Sequence, residues 1–164
     1  MIIREMRASD AKSIRAIAKD AWRATYSSFI PEEIQNQVLE EAYSESEMTN
    51  RFQNFSNLVA EENGQILGYA FLTDKKSDKQ LFLESLYIHP SFQGRGIGRR
   101  LLHKGISMFP KATAVSLTVY KGNPNLTFYE KEGFKVMNEN RGDFFGHPVT
   151  FILMEKVIVT GRIH

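Results

Sequence analysis

The chain has 164 residues, 42% of them hydrophobic and 24% charged, with a formal net charge of +2. That is enough apolar material for one substantial core and too little positive charge for a general nucleic-acid binder. Cysteine is absent, which excludes disulfides, thiolate metal sites and a cysteine acyl-enzyme. No apolar run approaches the ~20 residues of a membrane span and no secretory signal is visible, so the expectation is a cytoplasmic protein, one domain over residues 1–164, with no membrane partner.

Taken in order, Ile2 to Met6 reads as a first strand. Ser9-Asp10 offers a helix cap, and Ile14, Ile17, Ala18, Ala21 and Trp22 give helical spacing up to about Tyr26. Pro31 suits a first helical turn, and Ile34, Val38 and Leu39 continue a second helical pattern. A third helix is expected from Ser46 to Phe55, capped by Ser44 or Ser46. Asn57 to Glu61 and Ile66 to Leu72 read as a hairpin joined by Asn63-Gly64, followed by a polar loop from Lys75 to Lys79. Leu81 to Ile88 is a strand stopped by His89-Pro90. A glycine loop and an amphipathic helix ending at Phe109-Pro110 come next. Val115 to Tyr120 alternates as a strand, and Pro124 to Lys131 is a late helix stopped by Gly133. Phe134 to Met137 and Val149 to Met154 read as final strands joined by a loop over Asn138 to His147. No repeat or linker interrupts this α/β order. The apolar run Val149–Val159 would bring a strand to a sheet edge open to a second copy, and so to a homodimer.

The chemistry concentrates in Gln93-Gly94-Arg95-Gly96-Ile97-Gly98-Arg99, between a strand end and a helix start. Glycines let backbone approach a ligand, and the first N–H groups of a helix are free and sit at the positive end of its dipole. The loop suits a phosphate; the bland alternative is a flexible turn. A dinucleotide fingerprint needs glycine at position 99, and a nucleoside-triphosphate loop needs Gly-Lys-Ser/Thr at its end. Arg99 and Arg100 satisfy neither.

Gln93, Gly96 and Gly98 satisfy Gln-x-x-Gly-x-Gly instead. With Leu86-Tyr87-Ile88-His89-Pro90 before and Leu101-Leu102 after, this resembles the acetyl-CoA-binding motif of the GNAT superfamily of N-acetyltransferases. A second patch, Asn125-Leu126-Thr127-Phe128-Tyr129-Glu130-Lys131-Glu132-Gly133-Phe134, looks like that family's late helix running into the next strand. The resemblance is residue-level in these two patches and covers most of the chain as element order. It implies the α/β GNAT acyl-CoA N-acyltransferase fold: a central mixed, mostly antiparallel sheet of about six to seven strands flanked by helices, splayed between the fourth and fifth strands. It also implies acetyl-CoA as cosubstrate and an N-acetyltransferase moving the acetyl group to a primary amine, small-molecule or peptide, by direct attack in a ternary complex. A non-catalytic acyl-CoA-binding or sensing module of the same fold is the rival reading.

By motif position, the resemblance assigns cofactor contacts to the backbone of Leu86, Tyr87 and Ile88, and pyrophosphate binding to Gln93, Gly94, Arg95, Gly96, Ile97, Gly98 and Arg99. Tyr129 matches the general acid that meets the departing thiolate; a plain core tyrosine is the alternative. The family's cofactor-touching asparagine falls on Gly122 here, which leaves Asn123 and Asn125 as substitutes or as helix caps. Glu84 is the expected general base, because strand alternation puts it on the face of Leu86 and Ile88; the alternative is an ion-paired strand glutamate. Acceptor recognition is expected from Trp22, Tyr26 and Phe29, and from Phe144, Phe145 and His147. Acidic residues at 32, 33, 40, 41, 45 and 47 would attract a cationic amine or form a solvated helix face. His89, His103, His147 and His164 lack ligand spacing, so no metal is expected.

Overall fold

The computed structural model describes residues 1–158. Seven strands, β1 (Ile2–Glu5), β2 (Ser56–Glu62), β3 (Gln65–Ser77), β4 (Gln80–Ile88), β5 (Ala114–Tyr120), β6 (Lys135–Phe144) and β7 (His147–Val157), form one sheet in the order β1-β2-β3-β4-β5-β7-β6. Every neighbouring pair is antiparallel except β4 and β5. Between β1 and β2 run α1 (Ala11–Tyr26), α2 (Glu32–Ala42) and α3 (Glu45–Asn54); α4 (Ile97–Ser107) joins β4 to β5, and α5 (Leu126–Lys131) joins β5 to β6. This is the mixed, mostly antiparallel α/β architecture expected from the sequence. Among the described residues no helix is long and apolar enough to cross a membrane.

Helices cover both faces, so the middle strands are apolar on both sides rather than alternating with polar residues. Leu58, Ala60, Ala70 and Leu72 turn to one face and pack with Ile97, Leu101 and Leu102 of α4. Val59, Tyr69 and Phe71 turn to the other and meet Ile14, Ile17 and Ala18 of α1, with Tyr43 and Met48. A third, smaller cluster joins Trp22, Tyr26 and Ile30 to the end of β5 and the β6–β7 hairpin through Tyr120 and Phe144.

Two local expectations resolve in detail. Ser44 caps α3, its hydroxyl accepting from Glu47 N at 3.2 Å. Asp10 sits at the start of α1 but does not cap it with its side chain. Its carboxylate is buried and accepts from the Arg4 guanidinium at 2.8 and 2.9 Å and from Arg7 N at 2.7 Å. These bonds, Arg4 first, hold the carboxyl below the usual range and tie β1 to α1.

Three sequence expectations are corrected. Lys75 to Lys79 is not a loop: β3 continues to Ser77 and pairs with Gln80 across a tight turn. Asn138 to His147 is not a loop either, because β6 pairs with β7 from Lys135 to Phe144 and only Phe145-Gly146 turn the chain. Every β6 residue before Phe144 is exposed, so the strand has no buried face to betray it as alternation. The last strand, β7, lies between β5 and β6. It therefore has no free edge for a second copy, and Val159 and His164 lie outside the described residues.

Candidate active site

β4 and β5 pair only over Gln80–Phe82 and Ala114–Ser116. Beyond that they splay, and β4 keeps only its β3 neighbour. His89 N donates to Leu67 O at 2.9 Å. Antiparallel alternation then directs the peptide groups of Tyr87 and His89 at β3 and those of Leu86 and Ile88 at the gap. The Ile88 carbonyl accepts from Gln93 Nε2 at 3.2 Å, which folds the loop back over the strand end.

The loop reaches α4 through Gly94 and Gly96, at φ of 80° and 77°. Side chains rarely adopt that backbone conformation. No side chain caps α4 at Gly96, so its leading N–H groups have no partners within the helix. A cleft of about 260 Å³ opens in front of them. It is lined by Leu86, Tyr87, Ile88, Gln93, Gly94, Gly96, Ile97, Gly98, Arg99, Asn125 and Tyr129. Phe92, Phe128, Ala21 and Thr25 complete the wall; sequence reading did not single these out. Arg95 is not in the lining. Its guanidinium turns back to Glu62, at 2.9 and 3.1 Å, and over the Phe92 ring. On that side Arg95, Arg99, Arg100, His103 and Lys104 border a shallow basic depression.

The splay itself holds a smaller void of about 30 Å³, the space of roughly one water. Glu84, Tyr129, Tyr26, Asn123 and Asn125 border it, and it shares Leu86, Tyr87, Asn125 and Tyr129 with the larger cleft. Tyr129 comes from α5, is 8% exposed, and packs its ring against Phe128 and Phe134. Burial pushes its phenol well above the usual range. Among the described residues its hydroxyl has no hydrogen-bond partner, so the group is protonated and free to donate.

Glu84 lies on the opposite face from the one expected. The register of β4 against β3 slips there, with Leu83 opposite Leu72 and Ser85 opposite Phe71. Glu84 is the extra residue of a bulge, which breaks the alternation. Leu81 and Leu83 share the α4 face with Leu86 and Ile88, while Glu84 meets Arg51 of α3 at 2.7 Å. That arginine stacks on Tyr43 and Phe71 in the cluster beneath α1. Glu84 and Tyr129 thus approach the void from opposite faces of the sheet.

The asparagines divide. Asn123 is engaged structurally: Nδ2 donates to Tyr26 Oη at 3.2 Å and Oδ1 accepts from Asn125 N at 2.8 Å. The Asn125 side chain makes no capping bond and borders both cavities. Gly122, where the motif would have asparagine, packs beneath the Phe29 ring.

The expected acceptor walls also divide. Trp22 is 3% exposed and enclosed by Tyr26, Tyr120 and Phe144, so it serves as core. Tyr26 is equally buried, and its hydroxyl pairs with Tyr87 Oη at 2.9 Å. His147 Nε2 is 2.8 Å from the Phe29 carbonyl, clasping the β6–β7 hairpin to the end of α1. Phe145, at positive φ and half exposed, borders a cleft of about 490 Å³ between α2, α3 and that hairpin. Glu41, Glu47 and Asp143 contribute carboxylates to it, and Arg51 forms part of its wall. Arg51 is a further residue that sequence reading missed. Its one signal is a charge on the stripe Met48, Arg51, Phe55 that α3 turns inward.

Comparison with known proteins fits this geometry. A spermidine N(1)-acetyltransferase of Thermoplasma acidophilum is 26% identical over 151 residues, 87% of this chain and 92% of that protein. The N-acetyltransferase YuaI of Bacillus subtilis is 27% identical over 133 residues, 78% of this chain and 76% of the relative. Among solved structures, an N-acetyltransferase from Thermoplasma acidophilum in complex with coenzyme A superposes with a TM-score of 0.83 at 25% identity, over 96% of this chain and 98% of the other. The GNAT acetyltransferase domain model matches residues 23–158, and the chain therefore belongs to the GNAT family of N-acetyltransferases.

Proposed function

We propose that the protein transfers the acetyl group of acetyl-CoA to a primary amine by direct attack, with Glu84 and Tyr129 acting on the two sides of the reacting carbonyl. The observation that carries this is the shared void: one base-type and one acid-type side chain border a space of about 30 Å³ whose wall has Leu86, Tyr87, Asn125 and Tyr129 in common with the glycine-loop cleft. The free N–H groups at the start of α4 suit the pyrophosphate. The gap-facing peptide groups of Leu86 and the N–H of Ile88, whose carbonyl is held by Gln93, suit the amide-bearing arm, and the basic depression beside Arg99 and Arg100 suits the phosphorylated nucleotide end.

An alkyl amine is mostly ammonium at neutral pH, a penalty of about 4.6 kcal/mol on attack from its reference pKa near 10.4. Glu84, directly or through the one water the void admits, receives that proton. The amine nitrogen then bonds to the carbonyl carbon and the carbon–sulfur bond breaks. Tyr129, kept protonated by burial, offers its hydroxyl hydrogen to the departing sulfur. A thiolate, of reference pKa about 8.5, is a weaker base than a phenolate, of about 10, and burial of Tyr129 widens that gap, so the hydroxyl stabilises the thiolate by hydrogen bonding rather than by full transfer.

For the acceptor, the carboxylates of Glu41, Glu47 and Asp143 around one cleft favour a small polycationic amine, a reading supported by the spermidine-acetylating relative. The test is a CoA-release assay across an amine library that includes spermidine, lysine peptides and neutral amino compounds. Preferred turnover of polycations supports the reading. Tight CoA binding with no release for any amine would instead establish a non-catalytic acyl-CoA module.

A further inference from the structure

Resting on that reading, we propose that Arg51 is a positioning residue for acetyl transfer: from α3 it fixes the Glu84 carboxylate in the splay so that the other carboxylate oxygen meets the acceptor amine. Arg51 is itself immobilised. Only 5% exposed, it donates from Nη1 to the Ala42 carbonyl at 2.6 Å, and its guanidinium lies 5.1 Å from the Tyr43 ring centroid and 4.8 Å from that of Phe71. Its own carbonyl accepts from Asn57 Nδ2 at 2.9 Å. Nε then meets Glu84 Oε1 at 2.7 Å. Glu84 Oε2 has no hydrogen-bond partner among the described residues, and the residue borders the void with Tyr129.

Stability alone is a poor explanation for this pair. The pair is buried at Arg51 and part-exposed at Glu84, and such a pair contributes little over well-packed apolar side chains of similar volume. The pair also sits at the β4 bulge, where the strand departs from alternation to bring Glu84 to the α3 face. A flexible glutamate on that strand could turn either way through the gap; one oxygen anchored to an immobile guanidinium leaves the other in one place. Sub-ångström placement of a reacting group is worth large rate factors.

The experiment is a double-mutant cycle of Arg51→Met and Glu84→Gln, with Arg51→Lys as the conservative variant, on the full chain. Turnover is normalised to the folded fraction, with melting temperature and calorimetric CoA affinity measured on the same preparations. Arg51→Met should lower kcat by the same factor as Glu84→Gln, on the order of 10²-fold, with CoA affinity unchanged. The double variant should be no slower than Glu84→Gln alone, since the arginine acts only through the glutamate. Arg51→Lys, which keeps the charge, should recover part of the rate per folded molecule. Multiplicative losses in the double variant, or a destabilised Arg51→Met and Arg51→Lys with parental turnover per folded molecule, overturn the proposal. If Glu84→Gln keeps parental turnover, or the parent turns over no amine, the underlying reading of Glu84 fails and this inference falls with it.

Discussion

Tyr129→Phe isolates one hydroxyl. The ring contacts to Phe128 and Phe134, with centroids 5.1 and 5.8 Å away, survive the substitution. Since the hydroxyl has no hydrogen-bond partner among the described residues, its removal should cost less than the ~1 kcal/mol of an ordinary net hydrogen bond. CoA affinity should hardly move, because the glycine loop and the β4 backbone supply the binding groups. Turnover should fall by about 10²–10⁴-fold, the range for a positioned acid, equivalent to about 2.7–5.5 kcal/mol of transition-state stabilisation. Release of free thiol, followed with a chromogenic reagent, gives the rate; melting temperature and calorimetry on the same sample give the controls. A folded variant with parental turnover would remove Tyr129 from the mechanism and leave water or the thiol's own acidity to complete the reaction.

Gly96→Asp should abolish calorimetric CoA binding, since a carboxylate would enter the proposed pyrophosphate cradle. Gly96→Ala separates the causes: no heavy atom lies within 4 Å of its new Cβ, so only the strain at φ 77° remains, about 1–2 kcal/mol, and equal CoA affinities for the two variants would refute the charge argument. Asp10→Asn tests the β1–α1 tie. Because the Arg4 bonds lower the folded-state value, the ionised carboxylate adds stability that is fully present above the unfolded pKa of about 3.9 and is lost as pH falls through the folded value. The variant should therefore melt lower than the parent at neutral pH and converge with it on acidification; a constant gap contradicts this. Gly105→Val would bring Cβ to 2.8 and 2.9 Å from the Leu72 methyls, in a site where Leu72 is fully buried. It should cost about 1–3 kcal/mol or more by overpacking, with turnover per folded molecule unchanged, and an unshifted melting temperature would refute the close approach of α4 to β3.

The sequence by itself determined the order of elements, the glycine loop and the late helix. Each is local: the loop is glycine spacing between a strand stop and an apolar helix pattern, and Asn63-Gly64 is a turn whose positive φ values, 52° and 78°, those residues tolerate best. The family motif is legible for the same reason, since contacts made by backbone and a helix N-terminus constrain consecutive residues. Residues whose surroundings come from distant segments were misread. The sequence reads as strand only to Met137, and the rest of β6 as a loop, because an edge strand exposed on both faces carries no alternation. Trp22 was read as a binding wall because its aromatic enclosure comes from Tyr120 and Phe144, about a hundred residues further on. Only tertiary structure decided where Glu84 points. The bulge beside it depends on how β3 and β4 pair, and its partner Arg51 lies 33 residues earlier on another element. Periodicity describes a regular strand; a one-residue slip reverses every side chain beyond it, and that slip is fixed by the neighbouring strand.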